Sequence, residues 1–271
     1  MDIVRNAIDV LVGDSDYESK SDAISVLWSV RLDSRHVHAI GRENLNELFF
    51  AGDWCSNSNL GEISIRMWGL FLNNSKDSVW KTLATKEFLT RVFYYVSEHG
   101  DCMSYKFAAL VGKLTDAKFF NWDSVDPAAF SCLYTAYDRS VRQQAFRILN
   151  ISGPALWQGH DVERFLDNLV IWHGNKLAGF SDEISGYTSY VRQEAWEALA
   201  NSPPEAWELI APNRILDACS RREKVTDGSP LVYSSWKRAA LDNAPEFWWA
   251  SVELEGISAL LEMRKSDRLF G

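Results

Sequence analysis

VRQQAFRILNISGPALW, residues 141–157, and VRQEAWEALANSPPEAW, residues 191–207, are two copies of one pattern set fifty positions apart. Val, Arg, Gln, Ala, Leu, Ser, Pro and Trp recur at matched places, eight identities in seventeen. Within the second copy Val191, Ala195, Ala198 and Leu199 fall at helical spacing, and Asn201 with Ser202 then stops the run. The spacing predicts a helix, a sharp turn and a short segment that carries the tryptophan.

The tryptophans calibrate the rest of the chain. Leucine stands eight residues before and nine after Trp157, Trp207 and Trp80. Trp248 has Ala240 and Ile257 at those offsets, and Trp122 has Leu114, with Phe130 one place short. At the start His36 takes the tryptophan's slot, between Trp28 and Leu45. Six units result, over approximately 21–60, 61–100, 101–138, 139–180, 187–228 and 229–271. An N-terminal helix over 1–13 precedes them, and residues 174–189 read as an inserted loop. The tryptophans lie 42, 35, 50 and 41 residues apart, a spread that brackets the roughly 40–47 residue period of paired or tripled helices.

Each unit reads as helix A, a turn, the tryptophan segment and helix B. Six residues before the slot stand Asn74, Asp116, Asn201 and Asp242, types that favour helix ends. Ser202-Pro203-Pro204-Glu205 and Asn243-Ala244-Pro245-Glu246 have the form of capping boxes, and Ser140 reads as an N-cap. Helix B places Phe88, Leu89, Val92 and Phe93 in one unit, and Phe165, Leu166, Leu169 and Val170 in another, on a single apolar stripe. No alternation of strand type is sustained.

VRQQAFRILN and VRQEAWEALA resemble the first helices of HEAT-type repeats, and the six-unit layout resembles HEAT or armadillo arrays over nearly the whole chain. The resemblance implies an all-α, right-handed α-solenoid of about six repeats, forming one domain over 1–271. The family's usual proline in the first helix is absent, and the tryptophan after the turn is not its consensus, so the resemblance implies a private variant of the repeat.

Composition narrows the function classes. The net charge is -9 and the pI about 5.1, which opposes a general grip on phosphate backbones. Cys55, Cys102, Cys132 and Cys219 are scattered and form no CxxC pair, as expected of buried thiols in a reducing, cytoplasmic setting. The opening MDIVRNAIDVLVG carries too much charge for the apolar core of a signal peptide, and no apolar run reaches membrane-span length. Phosphate-loop and HExxH motifs are absent, and the five histidines lack metal-ligand spacing, so no cofactor and no metal is expected. GDSDYESKSD, residues 13–22, has Ser19 and Ser25 where a calcium loop needs Gly and Glu, and reads as a solvated linker.

Arg142 and Arg192 recur with the repeat, so an interface between units is expected of them rather than catalysis. In arrays of this kind the second helices commonly line the binding face. The face of helix B opposite its apolar stripe carries Glu87, Arg91 and Tyr94, then Arg164 and Asp167, then Arg214, Asp217 and Arg221. These are the candidate partner-binding residues, with the arginines exposed and dispensable for the fold. The expectation is a non-enzymatic scaffold or inhibitor, of immunity type or a subunit of a larger assembly. Its partner is another protein with a basic or mixed-charge surface, not nucleic acid and not a membrane. The competing class is a HEAT-like enzyme acting on nucleic acid, such as an alkylpurine DNA glycosylase. Such an enzyme needs a positive groove, whereas the densest basic run here, Arg221, Arg222 and Lys224, is countered by Glu223.

Overall fold

A computed structural model of the protein describes residues 2–50, 59–116, 120–170, 185–220 and 235–267. These residues are all-helical: eighteen α-helices and two 3-10 turns lie among them, and the β feature they contain is an isolated bridge between Leu32 and Ser75. The chain divides into two compact units, Met1–Val141 and Arg142–Gly271. Among the described residues no helix is long and apolar enough to cross a membrane.

The first unit opens with α1 (Asp2–Val12), which packs on α2 (Tyr17–Trp28) and α3 (Ser34–Ile40). Then come α4 (Arg42–Phe49), α5 (Asn59–Asn74), α6 (Asp77–Leu83), α7 (Lys86–Glu98) and α8 (Gly100–Asp116). A 3-10 turn at Trp122–Ser124, α9 (Pro127–Ser131) and a second 3-10 turn at Cys132–Thr135 complete it. The linker expected over 13–22 shrinks to a few residues, because the Asp16 carboxylate accepts the Ser19 N–H at 2.7 Å and starts α2 there. Gly41 joins α3 to α4 with φ of 84°, a left-handed conformation that a side chain would strain.

Three triplets lie in this unit: α2–α3–α4, α5–α6–α7, and α8 with the short elements after it. Like packs on like, with α2 against α5, α5 against α8, α3 against α6, and α7 against α9. Asn74 ends α5 and ties two triplets together. Its amide donates to the carbonyls of Trp28 at 2.9 Å and Val30 at 2.7 Å, while the Leu32 N–H reaches the Asn74 carbonyl at 2.9 Å. In the first triplet His36 does not replace a core indole. It closes a capping box, accepting the Asp33 N–H at 3.0 Å while the Asp33 carboxylate takes the Arg35 N–H. The Arg35 guanidinium also holds that carboxyl far below the usual carboxylate range.

The boundary between the units falls within α10 (Arg139–Ile151). The second unit continues with α11 (Pro154–Gly159), α12 (Val162–Val170), α13 (Ser185–Ala200), α14 (Pro204–Trp207) and α15 (Pro212–Ser220). It ends with α16 (Ser235–Asp242), α17 (Glu246–Leu254) and α18 (Ser258–Asp267). Here α13 packs on α16, α11 on α14, and α12 on α15. Of the insertion expected over 174–189, the last five residues belong to α13. Residues 174–184 lie outside the described residues.

The slot tryptophans are core. Trp80, Trp122, Trp157, Trp207 and Trp248 are each at most 4% exposed. Trp157 donates its indole N–H to the Leu149 carbonyl at 3.2 Å, and Trp248 donates to Ile210 at 2.8 Å. Trp207 and Trp248 meet edge to face at 5.1 Å, across adjoining triplets. The recurring arginine also serves such a junction, for Arg192 lies 5.8 Å from the Trp236 ring centroid. Its partner is an aromatic face of the next first helix.

Several expected caps form differently. Ser202 Oγ donates backward to the Leu199 carbonyl at 2.7 Å, as Ser152 does to Leu149, so Pro203 becomes the N-cap of α14. Pro245 likewise precedes α17 with no side-chain cap. Asp138, not Ser140, caps α10, accepting the Ser140 N–H at 2.6 Å. The helix-end residues fare as expected: α5, α8 and α16 end on Asn74, Asp116 and Asp242, and Asn201 directly follows α13.

His160 stands three residues after Trp157, the position of buried Leu83 and Ile210 in other triplets. It lies 5.2 Å from the Trp157 ring and 5.7 Å from Phe165, and burial lowers its pKa to about 4. The unfolded chain takes up this proton near pH 6.5, but the folded chain only near pH 4. Acidification across that window therefore favours unfolding, by at most about 1.4 kcal/mol for each pH step of one between those two values. Unfolding midpoints measured from pH 7 to pH 4 should fall less steeply for His160→Leu than for the native chain; parallel slopes would contradict this. Trp157→Ala and Trp207→Ala should each lose about 3–5 kcal/mol in denaturant unfolding, and native stability in either would show that the ring is not core.

Candidate functional site

The candidate residues separate into a set on each compact unit. Glu87, Arg91 and Tyr94 lie on α7, whose N-cap Thr85 accepts the Phe88 N–H at 3.3 Å. Phe88, Leu89, Val92, Phe93 and Val96 are buried, so the helix turns Glu87, Arg91 and Tyr94 outward. Tyr94 is 45% exposed.

Beside Glu87 is a cleft of about 190 Å³, lined by Arg42, Asn46, Leu83, Thr85, Glu87 and Phe88. Arg42 Nη2 donates to the Thr82 carbonyl at 3.3 Å. The Glu87 carboxylate is held below its ordinary range by its own backbone N–H, by the Thr85 hydroxyl and by the Arg42 charge. It is an anion already supplied with donors. One turn along α7, the Arg91 guanidinium stacks 5.4 Å from the Phe50 centroid. Phe50 in turn leans on Tyr95, Phe88 and Trp68 at 5.5, 5.9 and 6.3 Å. The floor beneath is rigid: Trp68 Nε1 and Ser64 Oγ both donate to the Phe49 carbonyl. Arg91 has no carboxylate at ion-pair distance among the described residues.

In the second unit the same face is closed on itself. Arg214 of α15 reaches back to Glu163 at 2.6 Å and Asp167 at 3.2 Å, both on α12. Arg164 pairs with Asp161 at 3.2 Å, the residue that also accepts its backbone N–H. Asp217 is exposed on α15, and Arg221 lies outside the described residues. The stripe of open arginines expected over 164, 214 and 221 is therefore not what α12 and α15 present. Stacking brings Arg214 to two carboxylates of α12, whereas Arg164 finds Asp161 at the start of its own helix.

Arg42, Asn46 and Phe50 were not among the residues anticipated. Their signal was in the repeat itself, since the offsets +10 and +14, counted from His36, reach Asn46 and Phe50. The offset +11 holds buried Asn168 and Ala218 in the second unit but exposed Arg91 in the first. That position lies about 60° from the apolar stripe's edge, so the packing of neighbours decides it.

No family model matches the chain, and no curated protein matches it. Two crystal structures of engineered proteins are similar to it. The first has a TM-score of 0.49 at 18% identity, over 95% of this chain and 62% of that one. The second has a TM-score of 0.44 at 17% identity, over 89% of this chain and 97% of that one. The chain spans about three fifths of the length of the first.

Arg214→Glu would set a third carboxylate beside Glu163 and Asp167, whereas Arg164→Glu adds an anion to the first turn of α12, where a helix favours one. Arg214→Glu should lower stability by about 1 kcal/mol in dilute buffer, less in strong salt, and Arg164→Glu should change it by under about 0.5 kcal/mol. Equal, salt-independent losses in unfolding experiments would show that Arg214 does not bridge the two helices.

Proposed function

We propose that the chain is a non-enzymatic helical-repeat protein of HEAT or armadillo kind, its triplets wound as a right-handed solenoid, that binds another protein through the outward face of its third helices. It acts as a scaffold or inhibitor, of immunity type or within a larger assembly, in the cytoplasm. The packing of first helix on first helix and third on third within each compact unit supports the repeat reading, because nearest-neighbour contacts are how such arrays bury their cores.

The face of α4 and α7 carries the functional reading. Arg42 and Glu87 line a cleft with Leu83 and Phe88 in its wall, Arg91 and Tyr94 stand exposed further along α7, and Arg91 is not consumed by an ion pair among the described residues. Tyr and Arg around a small apolar pocket are the types that concentrate interface energy. A partner with a mixed-charge surface fits this face. The nucleic-acid enzyme reading is opposed by the pairing of Arg214 with Glu163 and Asp167 and of Arg164 with Asp161, which removes the positive field a groove for phosphates needs.

Hydrogen exchange of the chain, alone and with a partner purified from the native host, tests the proposal. Protection on binding should concentrate in α4 and α7. Protection confined to the first helices α2, α5 and α8 would refute it.

A further inference from the structure

The α4–α7 face has a definite sign and spacing. Arg42, Asn46 and Phe50 follow one another at i, i+4 and i+8, and Glu87, Arg91 and Tyr94 run along α7 beside them. From Arg42 to Phe50 the wall is about 12 Å long, at about 1.5 Å per residue. That is the reach of three to four extended residues. One end holds the cleft over Leu83 and Phe88, with room for one large apolar side chain. The other end holds Arg91, its guanidinium carbon 5.4 Å over the Phe50 ring centroid.

The open charge on the α7 side of this groove, Arg91, is positive, although the whole chain is at -9. Glu87 already has the Thr85 hydroxyl, its own N–H and the Arg42 charge. Arg91 has no such counterpart among the described residues. A guanidinium fixed by stacking is prepared for bidentate pairing with a carboxylate. Glu43 and Glu47 are exposed one stripe further out on α4, so a run of carboxylates would be repelled while a single one is accepted. Arg91 and Glu87 are one turn apart, about 5–6 Å, which matches residues i and i+2 on one side of an extended segment.

Resting on the protein-binding reading above, we propose that this groove docks an extended segment of a partner protein carrying one Asp or Glu two residues from a large apolar side chain. The carboxylate pairs with Arg91 against Phe50, the apolar side chain fills the cleft over Leu83 and Phe88, and Tyr94 covers the segment beyond Arg91.

Selection of a phage-displayed random heptapeptide library on the full chain, followed by fluorescence polarisation with two enriched peptides, tests this. Enriched sequences should share a carboxylate at i and a large apolar residue at i+2 or i−2. Arg91→Glu, or Arg91→Gln if the first does not fold, should weaken binding at least tenfold. Arg91→Lys should give a smaller loss, because lysine keeps the charge without the planar fork. Asp→Asn or Glu→Gln in the peptide should match the Arg91→Gln loss, and Arg238→Glu on the second unit should bind as the native chain does. Enrichment of basic peptides, no enrichment, or binding indifferent to Arg91→Glu would overturn the proposal. Basic peptides that displace the purified partner would leave the protein-binding reading standing while removing this one, whereas exchange protection away from α4 and α7 would remove both.

Discussion

Trp248 donates its indole N–H to the Ile210 carbonyl and sets its ring edge to face with Trp207 of the preceding triplet. That contact shows what the slot residue does at this junction. A short helix leaves carbonyls without partners at its end, and an indole brings both a donor and a large apolar ring. Trp157 works within its own triplet, capping the Leu149 carbonyl at the close of α10, where Ser152 reaches the same oxygen. Remove the Trp248 indole and two losses coincide, a cavity between helices and the donor to the Ile210 carbonyl. The order of the second unit depends on this pairing of polar tip and apolar body.

Charge follows the same neighbour-to-neighbour logic. Along the first helices, Glu194 of α13 accepts from Gln143 at 2.9 Å and Arg147 at 3.2 Å on α10. Along the third helices, Arg214 binds Glu163 and Asp167. These pairs are partly exposed, so each adds little to stability. Their larger effect is on what the surface offers, because a guanidinium held by two carboxylates of its own chain has little left for a partner. Arg91 differs because its neighbour is a ring. Phe50 orients the guanidinium without neutralising it.

Helix-forming periodicity and helix-ending residues were legible because they are local. Asn74, Asp116 and Asp242 end helices as their residue types favour, although the Asn74 amide is taken up by carbonyls of the preceding triplet. Cap partners were less legible. Ser202 and Glu205 have the spacing of a capping box, yet the hydroxyl finds the Leu199 carbonyl first, because two successive prolines delay the next helix. His160 could have been placed in the core by lining it up with Leu83 and Ile210. Read alone, it is a polar residue with no Cys or second His near it in the sequence.

The chain's own residues determined that it is helical, where several of its helices end, and that its slot tryptophans lie inside, since apolar period and helix-end chemistry act over a few residues. Tertiary structure alone decided which outward charges remain open. Arg91, Arg164 and Arg214 occupy related places on helix B, but the first meets Phe50, forty-one positions earlier, while Arg214 meets Glu163, fifty-one positions earlier. An ion pair is made by whichever group lies within about 4 Å: for Arg164 that is Asp161, three residues earlier, but for Arg214 the distance is set by packing on the neighbouring triplet.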